Sequence, residues 1–144
     1  MAGKLYGNVI KAAFNKEVDF DSDTIKVALV SSAYTPNQDT HDYWDDVSAN
    51  EVSGTGYTAG GQALASKTVT YDSATNTLIL DAADTVWAGS TVTARYAVVY
   101  DDSGATAGQK ALIGYQDFGS DQSSTNGNFT VQWDSTGIVR ITVA

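Results

Sequence analysis

Four glycines fall within eight residues at 54–61, GTGYTAGG. Gly54, Gly56 and Ala59 match G-x-G-x-x-G/A, the pattern that brings backbone amides close to a pyrophosphate in dinucleotide-binding enzymes. That chemistry needs a strand before the glycines and a helix after them, with the helix N-terminus facing the anion. Here DDVSANEV, helical or irregular, comes before, and QALASKTVTY, which alternates like a strand, comes after. Asp72 lies near the distance of the ribose-binding acid, but in a hairpin turn. The context fails for a nucleotide. Gly54, Gly56, Gly60 and Gly61 read instead as a fold-critical turn, a bulge or sheet corner that needs positive φ and close backbone approach. No cofactor is expected, and Tyr57 should pack on the core or on a neighbour.

Other chemical patterns are weaker. DFDSD at 19–23 has the alternating acids that open a calcium loop, but Thr24 and Val30 stand where an EF-hand needs Gly and Glu. The plain reading is a solvated turn. His41 is the only histidine. With a serine and an aspartate it could serve a triad, yet no G-x-S-x-G elbow accompanies it. A zinc site would need a second histidine or a cysteine. The pairs Asp45/Asp46 and Asp101/Asp102 are adjacent, so their side chains diverge on strand or helix and are not preset for acid–base work. Trp44, Trp87 and Trp133, with eight tyrosines, could offer a sugar-binding platform, although aromatics in a β-sandwich usually serve core and interface. The expectation is a protein that is not an enzyme.

The elements that would position these residues are mostly strands. Thr, Val, Tyr and Gly abound, proline occurs once, and short apolar runs end in Asp, Ser, Asn or Gly. Residues 25–32 read as a strand. Residues 63–71 and 77–82 form a hairpin about DSATN, and 90–101 is the strongest strand. Residues 111–118 are another, 119–128 a polar loop, and 129–134 with 137–144 a final hairpin. One short helix is expected near 39–48, capped by Asp39 or Thr40. Residues 4–17 are ambiguous, because Gly7 and Asn8 weaken a helical face. The fold class is all-β: a single antiparallel β-sandwich, jelly-roll-like, of about seven or eight strands. The domain is placed at 23–144, with 1–22 as an N-terminal segment and possible interaction arm.

The chain has 144 residues, no cysteine and a net charge of −9. That length supports a core without staples, and the charge argues against nucleic acid and against an anionic membrane as partners. No apolar run approaches a membrane span, and the start lacks the apolar stretch of a secretory signal, so a cytoplasmic origin is the default. Between Lys26 and Lys67 there is no Lys or Arg, whereas Asp39, Asp42, Asp45, Asp46 and Glu51 fall there. This locally acidic region suits a basic partner.

Longer stretches carry a resemblance. DTIKVALVSSAYTPNQDTHDYWDDV, EVSGTGYTAGGQAL, TARYAVVYDDS, LIGYQDFG and NGNFTVQWDSTGIVRITV resemble a group of small virion structural proteins of tailed bacteriophages. The likeness runs from about residue 23 onward. It implies a head decoration or cement protein on the capsid surface, made in the host cytoplasm and bound to the phage major capsid protein as a trimer or dimer. Segment 1–22 and the acidic 39–51 stretch are the expected contacts, with Tyr43, Trp44, Asp45, Asp46 and Tyr57 as candidate interaction residues. The alternative is a tail or fibre module that binds host-surface glycans through Trp44 or Trp87.

Overall fold

The computed structural model describes residues 3–144. It contains two antiparallel sheets facing each other, an all-β sandwich with one α-helix. The larger sheet has the order β1-β7-β6-β2-β3 and the smaller β4-β5-β8. The strands are β1 (Lys4–Leu5), β2 (Ile25–Val30), β3 (Gln62–Ala63), β4 (Thr68–Asp72), β5 (Thr77–Asp81), β6 (Thr85–Asp101), β7 (Leu112–Val131) and β8 (Val139–Thr142); the helix α1 is Asn8–Phe14.

Alternation decides what each face of the larger sheet touches. Val27, Leu29, Ala97, Val99 and Ile113 point toward the smaller sheet and pack with Leu80 and Val139. Their chain neighbours Ala28, Val30, Val98, Tyr100 and Leu112 point the other way, into a second cluster with Tyr6, Tyr34, Trp44 and Val47. The second face is covered by residues 31–50 rather than by a sheet. That is why β2 is buried almost without a break, like a central strand in a three-layer fold.

The expected helix near 39–48 is replaced by two short 3-10 turns, Trp44–Asp46 and Ser48–Asn50. The Asn37 side chain accepts the Asp39 and Thr40 amides, which commits the chain to a turn before a helix can start. Trp44 then donates its backbone N–H to the Lys110 carbonyl and pins this segment to the sheet. The α-helix lies instead at Asn8–Phe14, where Val9 and Ala12 dock one turn apart.

The segment set apart at 1–22 is packed into the domain from Lys4 onward. Lys4 and Leu5 pair with Tyr115 and Gly114, and Tyr6, Val9, Ala12 and Phe20 are buried. Met1 and Ala2 lie outside the described residues.

Two further expectations are corrected. The polar run 119–128 is strand, the middle of β7, paired to β6 by contacts such as Thr93 Oγ1 to Ser123 Oγ at 2.7 Å. It contains few apolar residues because this half of the ribbon is wet on one side. The last two strands are not a hairpin either. Residues 129–131 finish β7 in the larger sheet, whereas β8 pairs with β5 in the smaller one. The chain changes sheets at Gly137, whose φ of +109° and position against the Leu80 carbonyl suit a residue without a side chain. The hairpin of β4 and β5 about residues 73–76 stands, but its first strand is shorter than 63–71: Gln62 and Ala63 pair with β2 in the larger sheet as β3, and β4 begins at Thr68.

Candidate functional site

The glycine turn is built for backbone packing. A methyl group at Gly61 would sit 1.9 Å from the Val27 carbonyl oxygen, with φ at +76°; at Gly54 it would sit 2.2 Å from the Thr91 carbonyl oxygen. Both glycines therefore press against strands, β2 in one case and β6 in the other. Glu51 organises the loop between them: its Oε1 accepts the Tyr57 hydroxyl and the Gly60 amide, each at 2.6 Å. Tyr57 in turn accepts the Leu29 amide at 3.0 Å, and Tyr100 donates to the Gly60 carbonyl at 2.7 Å. Burial and the Glu51 contact push the Tyr57 hydroxyl well above its usual pKa. Within the stretch the Tyr57, Gly60 and Gly61 amides donate to the Gly54 carbonyl, the Glu51 carboxylate and the Thr58 carbonyl.

The remaining candidates disperse. Trp44 is 7% exposed and stacks on Tyr100 at 4.3 Å and 13°, while Trp87 is 1% exposed. Neither presents a ring face to a sugar. Tyr43 lies at the surface, its hydroxyl donating to Glu17 at 2.7 Å. Asp45 and Asp46 are exposed, and Asp46 accepts the Asp42 amide. Burial raises the Asp42 carboxyl, helped by the charges of Asp46 and Asp45, so this stretch is acidic as its sequence implied. His41 Nδ1 lies 2.8 Å from the Tyr34 hydroxyl, which meets the Tyr6 hydroxyl at 2.8 Å. The Asn37 amide also donates to His41 Nδ1, so that nitrogen is an acceptor and the ring closes a buried hydroxyl chain. Burial lifts the Tyr34 hydroxyl to about 12.

Asp19 and Asp23 each accept one amide of their own turn, from Ser22 and Asp19 respectively. Among the described residues, no three His, Cys, Asp or Glu side chains are placed to hold a metal ion. Asp101 and Asp102 diverge. Asp102 binds Lys26 at 2.7 Å and Lys110 at 2.6 Å, and although burial opposes it, these two ammonium groups hold its carboxyl below the usual range. Asp101 is buried. One of its oxygens accepts from Ser103, and the other has no hydrogen-bond partner among the described residues, with the Asp23 carboxyl its neighbour.

The site that sequence reasoning missed is an apolar groove of roughly 830 Å³. Its walls are α1, through Ile10, Ala13 and Phe14, and the inner face of the smaller sheet, through Val69, Leu78, Leu80, Ile141 and Val143. Cross-strand partners share a face, and here Val69 pairs with Leu80 and Leu78 with Ile141, giving a continuous floor. At one end Leu80 and Val139 close the core; at the other the two sheets gape. Phe14 is 86% exposed, Val143 55%, Tyr71 54% and Ile10 43%. Asp19, Asp21 and Asp23 line the rim, with Lys16 the single cation among the lining residues. The sequence signal was the run VIKAAF: apolar residues on two faces of a seven-residue helix exceed what one core contact can bury. The chain matches no protein-family model, no curated protein and no solved structure.

Proposed function

We propose that this chain is a non-enzymatic structural protein that works by adhesion, a decoration or cement protein on the outer capsid surface of a tailed phage. The observation that carries the adhesive part is the open groove with Phe14 at its mouth. Contiguous apolar surface left uncovered on a small domain marks a site for another macromolecule. Covering Phe14 alone is worth about 2 kcal/mol. The phage setting rests on the sequence resemblance. In that setting each copy holds the major capsid protein through the groove. Bridging neighbouring subunits with many copies then multiplies a modest single-site affinity. Tight backbone glycines and ring-on-ring packing supply the rigidity that a clamp requires.

Co-sedimentation with expanded capsids of the parent phage tests this reading. Many copies per particle should pellet, and Phe14→Asp should remove most of them. A wild-type protein that stays in the supernatant and is missing from virions would overturn it. The glycan-binding alternative loses its proposed platform with the buried Trp44 and Trp87.

A further inference from the structure

Resting on the adhesive reading of the groove, we infer that its occupant is an extended segment of a partner protein, apolar along one side and basic at one end, which adds as a strand to the β4 edge. Four observations converge. First, β4 is the outermost strand of the smaller sheet, so one side of its backbone has no strand partner among the described residues. Second, that edge carries neither a proline nor a bulge, and its one charge, Asp72, stands at its far end. Thr68–Asp72 pairs with β5 without a register shift and contains no proline or glycine. Lys67, placed to guard the start of the edge, turns back to donate to the Asp23 carbonyl. Third, a strand laid on β4 sends alternate side chains to the same face as Val69 and Tyr71. Those side chains enter the groove and meet Leu78 and Phe14, so backbone pairing and apolar burial are satisfied by one segment. This is the logic of recognition by strand addition. Fourth, charge sets the polarity. Asp19, Asp21 and Asp23 line the groove in the loop tied to Lys67, at the end where β4 begins. A Lys or Arg at the corresponding end of the segment meets them.

The test is selection from a yeast-displayed library of random twelve-residue peptides against the folded protein. Enriched sequences should alternate Val, Ile, Phe or Tyr with polar residues and carry Lys or Arg at one end. Retention should fall at least tenfold on Val69→Asp and on Phe14→Asp, two exposed positions whose variants are first checked for an unchanged unfolding midpoint. A central proline in an enriched peptide should also abolish binding. Slowed amide exchange in the complex should centre on residues 68–72. Enrichment with helical spacing, enrichment of acidic peptides, or no enrichment would overturn the inference. So would sedimentation showing a dimer of the protein alone that Val69→Asp dissociates, because the occupant would then be a second copy. Capsid binding without peptide binding defeats this inference only, and peptide binding without capsid binding defeats only the capsid reading.

Discussion

Tyr6, Tyr34, Trp44 and Tyr100 interlock beneath residues 31–50 on one face of the larger sheet. On the other face, where the smaller sheet lies, Phe14 stands 86% exposed beside a groove of aliphatic side chains. The closed side is assembled from directed contacts: the Trp44–Tyr100 stack at 4.3 Å and the hydroxyl chain from Tyr6 through Tyr34 to His41. Such contacts fix one geometry and leave nothing to offer a partner. The open side is assembled from undirected apolar surface, which accepts any complementary shape. One side specifies the fold; the other is the surface on which the proposed adhesion rests.

The largest effect is expected where the glycine turn presses on β2, the strand that carries both sides. Gly61→Ala places a methyl group 1.9 Å from the Val27 carbonyl at a positive φ. Loss of about 4 kcal/mol or of the folded state is expected, read by chemical denaturation. Trp44→Ala should cost about 3–5 kcal/mol, because it removes a buried indole and unstacks Tyr100. A loss below about 1 kcal/mol in that experiment would mean residues 31–50 merely rest on the sheet.

Asp101 ends β6 on the face of Ala97 and Val99, one residue from the doubly paired Asp102. Burial raises its carboxyl above the usual range, and the neighbouring Asp23 adds to the effect. A carboxyl raised in the folded state makes the protein more stable as pH falls, so this contribution declines as pH rises from about 4 through the folded value. Asp101→Asn keeps an acceptor for Ser103 and removes the charge. It should stabilise by about 1 kcal/mol at pH 7, with the gain shrinking toward pH 4 in denaturation midpoints. The smallest effect belongs to the open side. Phe14→Asp should change stability by no more than about 0.5 kcal/mol while removing adhesion. A destabilisation above about 2 kcal/mol would make Phe14 a core residue and end the contrast.

The closed and open sides were not equally legible in the sequence. Local rules found β2, the hairpin of β4 and β5, and the body of β6, because alternation and the DSATN turn are properties of neighbouring residues. They misread 119–128 as a loop, since its partner β6 lies far away in sequence and nothing local reports the pairing. They joined the last two strands into a hairpin for the same reason: a strand's pattern does not say which sheet it enters. Residues 39–48 looked helical by composition, but Asn37 and the backbone bond to Lys110 prevailed. At the glycine stretch, the choice of backbone packing over phosphate binding came from its flanks. The groove was hidden because Ile10, Val69, Leu78 and Ile141 each look like core residues, and only their assembly shows that they are left partly exposed along one groove.

The Gly3 amide bonds to the Ile138 carbonyl at 2.9 Å, and β8 completes the smaller sheet by pairing with β5. Both closures join residues distant in sequence, which places this protein among slow folders, on the scale of milliseconds to seconds rather than microseconds. Ile141 and Val143 reach the groove only when β8 docks. The groove wall formed by Ile141 and Val143 therefore exists only in the completed sandwich, and a chain whose last strand has not docked lacks part of the surface proposed for adhesion.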